Sequence, residues 1–304
     1  MIYVTQGHEN GIGLEIFFKS FLCLSKNDQK KITLITSKAS LSLTLDRCFL
    51  SYQIKDQCIH INSIELKCLF FNTKQNEYQS SLALEIALKR LKYDDILITL
   101  PTSKDQLFYK DIQVNGHTEF FRKHFLKKEI AMCFLAPDTN FLLLSDHISI
   151  NKVSSYLTSQ FIFDKVSLTL TQLSKIRPIK EVFFSGINPH CGENGHISTT
   201  DRVVTYSISE LKTHFQDIKF YDMLPADTIH FNLKDKSQLF IYAYHDQGLA
   251  PFKLRYGLTG INLSLGMDFK RVSVDHGTAF DLFGKDTANY IGMLNLFDEV
   301  LSWT

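Results

Sequence analysis

The sequence predicts an α/β fold in which helices cover a largely parallel sheet. Short apolar runs rich in Ile, Val, Leu and Phe recur along the chain, and longer stretches with helical periodicity lie between many of them. This alternation is typical of βαβ units, and 304 residues is the length of about two domains. The chain contains no repeat, low-complexity tract or long linker. Two domains would therefore share a close interface, which is a common place for a binding site.

The amino-terminal half begins with a predicted strand over residues 2–5, a glycine-containing loop and a helix over 13–25 whose apolar residues share one face. A second strand is expected at 31–37. An amphipathic helix over 76–94 then leads into a strand at 96–100 that Pro101 closes.

The carboxyl-terminal half has two apolar runs that predict buried strands, and a long helical pattern over 151–176 that ends before Pro178. A final helix is expected at 287–303. The predicted strands of this half cover residues 130–135, 141–145, 181–185, 218–221, 239–244, 261–265 and 272–274.

Composition excludes several classes of protein. The 33 basic and 32 acidic residues give a net charge of +1, so neither nucleic acid nor an anionic membrane surface is expected as a partner. No apolar run approaches the roughly 20 residues of a membrane span, and the start of the chain lacks the features of a signal peptide. The six cysteines contain no CxxC pair, which indicates reduced thiols. A cytoplasmic protein is therefore expected.

Glycines are few and unevenly placed. Gly7, Gly11 and Gly13 share one loop, a second cluster lies at 186–195, and seven more glycines fall within residues 248–292. Any one of them is as consistent with an ordinary turn as with a site. Where such clusters also hold His, Asp, Asn and Lys, close approach of the backbone to a ligand is favoured.

Three histidines stand just past the carboxyl end of a predicted strand, namely His147, His190 and His245. In open α/β sheets, ligands collect outside these strand ends. Three imidazoles could hold one divalent ion and leave coordination positions open for a substrate. Asp246 could then contact the His245 ring, rather than the metal ion itself, and orient that ring. Taken singly, each histidine is more often a hydrogen-bonded loop residue.

A second group comprises Lys253, Asn262 and Arg271, which are spaced by nine and nine residues in a glycine-rich stretch. The Lys253 ammonium, the Asn262 amide and the forked guanidinium of Arg271 are groups that suit an anionic substrate. The alternative is two solvated cations and a turn asparagine, and spacing alone favours that alternative.

Several segments resemble the 4-hydroxythreonine-4-phosphate dehydrogenase family of vitamin B6 synthesis. They are GHTEF (116–120), SGINPHCGENGH (185–196), LPADT (224–228), YHDQGLAPFK (244–253) and VDHGTAFDLFGK (274–285). The resemblance covers most of the chain in the same order. It implies two α/β/α domains with an interdomain cleft, as in isocitrate and isopropylmalate dehydrogenases. It also implies a homodimer with the active site near the subunit interface.

On this resemblance, residues 1–114 plus 276–304 form a first α/β domain. Residues 115–275 form a second domain that carries the metal and substrate residues and the dimer interface. The implied metal ligands are the three strand-end histidines, and the metal is Zn, Mg, Co or Mn.

The resemblance also implies substrate and cofactor contacts. The substrate-binding positions are His117, Thr118, Lys253, Asn262 and Arg271. The NAD or NADP contacts are His276, Gly277, Thr278, Ala279 and Asn289. Lys253 and Asp246 are candidates for the catalytic base, with His117 as another. The absence of a GxGxxG motif is no objection, because this fold does not use the Rossmann fingerprint.

The first loop departs from the family pattern. It reads GHENGIGLE where GDPAGIGPE is usual, so His8 and Glu9 replace an aspartate and a proline. Cys191 replaces an alanine, and residues 265–268 replace LGLP.

The implied reaction is the NAD-dependent oxidation of 4-phosphooxy-L-threonine at the carbon bearing its free hydroxyl, followed by decarboxylation to 3-amino-2-oxopropyl phosphate. The nearest alternative is a sister dehydrogenase acting on another four-carbon phosphorylated acid, such as a phosphorylated threonate or erythronate. A metal-dependent hydrolase and a non-catalytic metal-binding module are alternatives from other classes.

Overall fold

A computed structural model describes residues 1–73, 78–126 and 129–304. The helices in these ranges are α1 (Gly13–Phe21), α2 (Lys26–Gln29), α3 (Lys38–Arg47), α4 (Gln79–Leu88), α5 (His117–Phe125), α6 (Ile150–Tyr156), α7 (Ser159–Leu173), α8 (Arg202–His214), α9 (His245–Tyr256) and α10 (Ile291–Leu301). Among them, none has both the length and the apolar character required to cross a bilayer.

The strands are short and distributed along the whole chain. They are β1 (Ile2–Thr5), β2 (Ile32–Ser37), β3 (Tyr52–Lys55), β4 (Cys58–Ile61), β5 (Ile64–Phe71), β6 (Ile96–Thr99), β7 (Phe108–Tyr109), β8 (Ile112–Gln113), β9 (Ala131–Ala136), β10 (Thr139–Leu143), β11 (Glu181–Phe184), β12 (Lys219–Phe220), β13 (Gln238–Tyr242), β14 (Ile261–Leu265) and β15 (Lys270–Val274).

The chain divides into two compact units. Unit 1 comprises residues 1–128 and 267–304, and unit 2 comprises residues 129–266. The segments 115–126 and 267–275, which the family resemblance assigned to the second domain, therefore belong to unit 1. Their contacts explain this difference, because α5 packs on β7 and β15 pairs in parallel with β6.

Unit 1 is built on strands in the order β15-β6-β1-β2-β5-β4-β3. The five strands from β15 to β5 are parallel, and β4 and β3 continue in antiparallel register. The parallel strands β1, β2 and β6 are buried along nearly their whole length, as expected for a sheet covered on both faces. The α/β fold predicted from the sequence is confirmed.

Unit 2 has strands in the order β12-β11-β13-β10-β9-β14. The strands from β12 to β10 are parallel, whereas β9 runs antiparallel to both β10 and β14. Aromatic side chains dominate its core, where the rings of Phe183 and Phe240 stack 4.9 Å apart and Phe141 lies against Tyr242 and Phe252. The parallel strands therefore have a rigid support.

Several predicted elements differ from the observed ones. The helix predicted over 151–176 is two helices, α6 and α7, because Thr158 leaves helical geometry and its hydroxyl accepts from the Phe161 amide as an N-cap. The predicted 13–25 helix ends at Phe21. The predicted 76–94 helix is observed as α4, and its residues 76 and 77 lie outside the described residues.

The first loop of unit 1, which follows β1, packs tightly against the end of β6. The His8 amide donates to the Pro101 carbonyl over 3.0 Å, and a Cβ at Gly7 would collide with that same carbonyl. Only glycine leaves enough room for this approach of two backbones.

We expect Gly7→Ala to lower the free energy of unfolding by about 1–3 kcal/mol, the usual cost of overpacking. Chemical denaturation of the full chain without nucleotide measures the change. Gly277→Ala is the matched control, since a Cβ there meets no atom within 4 Å. Equal stability of the two variants would contradict the contact between the loop and Pro101.

Candidate active site

The carboxyl ends of three parallel strands in unit 1 carry loops that contact one another. The loop after β1 runs from Gly7 to Gly13, and the loop after β15 contains the predicted cofactor residues. The Ile12 amide donates to the Thr278 carbonyl over 3.0 Å, and the His8 ring meets the Phe280 ring edge-on at 4.7 Å. This edge is where open α/β sheets bind ligands.

A buried carboxylate anchors the end of this second loop to α1. Glu15, only 4% exposed, accepts from the Ala288 amide and from the Lys19 ammonium, both at 2.8 Å. Lys19 also forms an ion pair with Asp286 at 2.9 Å. These contacts hold residues 286–288 beside the first turn of α1.

The predicted cofactor residues differ in how they are placed. His276 contacts the Gly277 carbonyl through Nδ1 at 3.0 Å, and Gly277 is exposed. Ala279 has a left-handed backbone with φ of 46°. The Asn289 side chain accepts from the Ile291 amide at the start of α10, which leaves its amide nitrogen as the group available to a ligand.

A buried guanidinium lies deeper in unit 1. Arg271 on β15 is 4% exposed and donates to the Thr99 hydroxyl from Nε at 3.1 Å and from Nη2 at 2.6 Å. Burial lowers the pKa of Arg271 to about 9, so it remains charged at pH 7. A buried cation of this kind favours an anionic ligand.

His117 and Thr118 begin helix α5 in the same unit. Burial and the positive charge of Arg271 hold the pKa of the His117 imidazole well below its usual range. A neutral imidazole offers one donor and one acceptor to a ligand. The sequence predicted these three residues as substrate contacts, and the structure brings His117 under the influence of Arg271.

In unit 2, the three predicted metal ligands follow adjacent strands. His147 follows β10, His245 follows β13 and His190 follows β11, and β13 pairs in parallel with both of the others. The His147 and His245 rings lie 5.5 Å apart, and Asp246 Oδ1 lies 2.7 Å from His245 Nδ1. A carboxylate on Nδ1 leaves Nε2 as the nitrogen that can bind a metal ion, the usual arrangement of a metal-binding histidine.

The distance between the His147 and His245 rings can be compared with the distance expected for two imidazoles bound to one metal ion. With metal–nitrogen bonds of about 2.0–2.1 Å and tetrahedral angles, the two ring centres should lie roughly 5 Å apart. The observed 5.5 Å agrees with that value. Across the described ranges, however, no set of three His, Cys, Asp or Glu residues has metal-holding geometry within the chain.

His190 begins an unusual stretch of backbone. Residues 190–194 all have positive φ, and four of them are not glycine. Left-handed geometry costs about 1–2 kcal/mol for each such residue. Hydrogen bonds just before His190 offset this cost, since buried Asp201 accepts from the Ile187 and Asn188 amides at 2.7 and 3.2 Å. The loop therefore has one defined shape.

A polar cavity of about 540 Å³ opens beside this loop. Its walls include His190, Asp201, Arg202 and Lys212. The cavity makes His190 accessible to small molecules from the solvent.

The remaining predicted residues of unit 2 are Lys253 and Asn262. Lys253 is exposed on α9, eight residues after His245, which is about 12 Å along the helix. Asn262 lies in β14, and within the described part of the chain its buried Oδ1 accepts no hydrogen bond. This oxygen is able to accept a hydrogen bond from a ligand or from water.

Sequence reasoning missed Thr99, Asp201 and Gln247. Thr99 accepts from Arg271, Asp201 accepts from the backbone before His190, and Gln247 forms hydrogen bonds with Ser185, Gly186 and Ala243. Asp201 lies in the STTD run before α8, a typical signal of a helix start that was available in the sequence. Thr99 ends an ordinary apolar strand, and nothing in its surroundings points to Arg271.

Comparisons with known proteins identify the family of this chain. The profile of the family described as "Pyridoxal phosphate biosynthetic protein PdxA" matches residues 30–298. A 4-hydroxythreonine-4-phosphate dehydrogenase of Sulfurihydrogenibium sp. (strain YO3AOP1) is 30% identical over 94% of this chain and 92% of its own length. One from Sulfurimonas denitrificans is 27% identical over 99% of this chain and 97% of its own length.

Among solved structures, a putative 4-hydroxythreonine-4-phosphate dehydrogenase from Salmonella typhimurium has the same fold. Its TM-score is 0.80, with 23% identity over 100% of this chain and 99% of that chain. The resemblance that the sequence motifs indicated is confirmed. The chain belongs to the family of the pyridoxal phosphate biosynthetic protein PdxA.

Proposed function

We propose that this protein is an NAD-dependent, divalent-metal-dependent dehydrogenase that oxidises and decarboxylates 4-phosphooxy-L-threonine to 3-amino-2-oxopropyl phosphate in pyridoxal 5'-phosphate biosynthesis. The relatives with similar sequences carry the name of that dehydrogenase. The observation that carries the proposal is the pair of imidazoles at adjacent strand ends, His147 and His245, with Asp246 on Nδ1 of His245.

His147, His190 and His245 would hold the divalent ion. Three neutral imidazoles leave its charge undiminished, so the ion would polarise the substrate hydroxyl and the ketone formed from it. Asp246 orients His245 through their 2.7 Å contact and so acts as a positioning residue. That contact makes Asp246 a weaker candidate than Lys253 or His117 for the base that removes the hydroxyl proton.

Arg271, His117, Thr118, Lys253 and Asn262 would bind the phosphorylated substrate. Arg271 supplies a buried positive charge, and Asn262 supplies a buried oxygen suited to an N–H or O–H donor of the ligand. Neutral His117 supplies a donor without adding charge. Together these groups would orient the reacting carbon toward the nicotinamide.

The nucleotide, NAD or NADP, would bind along the loop after β15, at His276, Gly277, Thr278, Ala279 and Asn289. The first loop supports this segment through the Ile12–Thr278 hydrogen bond.

The function is tested by measuring NADH formation, through its absorbance, with a panel of phosphorylated four-carbon acids. Preference for a threonate or erythronate phosphate would favour the sister dehydrogenase, and turnover without NADH would favour a hydrolase.

We expect a chelator to abolish activity, and Zn²⁺, Mg²⁺, Co²⁺ or Mn²⁺ to restore it, because imidazole ligands release a divalent ion to a stronger chelator. Steady-state NADH formation measures both steps. His190→Ala and His245→Ala should be inactive although folded, whereas His60→Ala, on β4 of unit 1, should behave as wild type. Full turnover by either of the first two variants would refute the metal assignment.

We also propose that the active protein is a homodimer with the site near the subunit interface. Within one chain, the described residues supply two close imidazoles but no complete set of three ligands. A second copy can supply the missing ligand.

Mixing inactive His190→Ala with inactive His245→Ala distinguishes a shared site from a site within one chain. If each site takes these histidines from different chains, mixed dimers regain a fraction of wild-type activity, because one of their two sites is intact. If each site lies within one chain, every site in a mixed dimer lacks one ligand and activity stays absent. Sedimentation analysis verifies that mixed dimers form.

Lys253→Met and Arg271→Met should each raise the substrate KM about ten- to a hundredfold with little change in the KM for NAD. A charge-assisted hydrogen bond to an anion contributes about 1.5–3 kcal/mol. Two cations close to them in sequence provide matched controls, Arg255→Met (3.0 Å from Asp138) and Lys270→Met (2.9 Å from Asp94). Equal effects on both KM values would contradict the substrate assignment.

A further inference from the structure

We propose that Gln247 is a positioning residue that fixes, within each chain, the strand ends that carry His147, His190 and His245, so that these histidines are held ready for metal binding. This inference rests on the proposed function of those histidines. Gln247 lies in the second position after His245 on α9, and its side chain is half-buried beneath the strand ends. It has no direct role in the chemistry derived above.

The Gln247 carboxamide joins the ends of two strands. Its Oε1 accepts from the Ala243 amide at 2.7 Å and from the Ser185 hydroxyl at 2.8 Å. Its Nε2 donates to the Gly186 carbonyl at 2.8 Å. Because a backbone amide can only donate and a carbonyl can only accept, these partners determine which amide atom is oxygen and which is nitrogen.

Each partner lies a few residues before a predicted metal ligand. Ser185 and Gly186 lead into the loop of His190, and Ala243 is two residues before His245. The link extends to the third strand, because the Ser145 hydroxyl and amide donate to the Ala243 carbonyl at 2.7 and 3.1 Å. Ser145 is two residues before His147. One continuous network therefore connects all three strand ends.

A glutamine suits this position because it donates and accepts in one rigid plane. Glutamate has the same shape but would place a carboxylate oxygen against the Gly186 carbonyl. Leucine has a similar volume and makes none of the three hydrogen bonds. Loss of the network would let the His190 and His245 loops move independently, which lowers metal affinity more than it lowers global stability.

The same strands contain a matched control at their opposite, amino-terminal ends. Gln238, the first residue of β13, accepts from the Lys234 amide at 2.7 Å and donates to Glu181 at 2.8 Å. It too links β13 to β11, but it lies far along the strand from the histidines. Gln238→Leu therefore reports the cost of losing a glutamine bridge without disturbing the proposed metal site.

The test uses Co²⁺ as the probe, with the full chain and no substrate. We expect Gln247→Leu to bind Co²⁺ about 10–100-fold more weakly than wild type by calorimetry, the usual effect of losing a group that supports a ligand. Its Co²⁺ absorption spectrum should also change. Gln238→Leu should keep wild-type affinity and spectrum while its Tm falls. Wild-type Co²⁺ affinity and spectrum in Gln247→Leu would overturn the inference.

Hydrogen exchange separates this inference from the metal assignment. The Ala243 amide and residues 185–190 should exchange faster in Gln247→Leu than in Gln238→Leu, with or without metal. If wild type binds no Co²⁺, the proposed function fails, and unchanged exchange then overturns the network as well. If Gln247→Leu does not fold, Ser185→Ala removes a single bond and should give a smaller change in the same two measurements.

Discussion

Parallel pairing of neighbouring strands is the constraint on which the candidate site depends. Parallel strands end at the same edge of a sheet, so residues distant in sequence meet wherever their strands are neighbours. In unit 2 the order β11-β13-β10 places the strand leading to His245 between the strands leading to His190 and His147. In unit 1 the same rule brings the loops after β1, β6 and β15 together.

Polar side chains that bridge strand ends fix the shape of the loops that the sheet brings together. The loops at these edges lack regular backbone pairing, and their buried amides and carbonyls require other partners. Glu15, Asp201 and Gln247 provide them by accepting from backbone amides at 2.7–3.2 Å. Each one also connects a loop to a helix, so the loop shape is coupled to the packed core.

Charge is distributed differently at the two edges. Unit 1 buries the Arg271 guanidinium beside a neutral imidazole, an arrangement suited to an anion. Unit 2 places the partly exposed His245 imidazole next to the Asp246 carboxylate and near the His147 ring, an arrangement suited to a cation. The first environment suits the phosphate of the proposed substrate, and the second suits the proposed divalent ion.

The sequence by itself determined the α/β class and the family, because strand periodicity is local and YHDQGL and DHGTAF are contiguous motifs. It did not determine that Thr158 ends one helix pattern early, or that 115–126 and 267–275 belong to unit 1, since both depend on which neighbours each segment packs against. The roles of Thr99, Asp201 and Gln247 were also decided by tertiary structure. A hydrogen bond between residues 62 or 172 positions apart has no signature in the sequence around either partner.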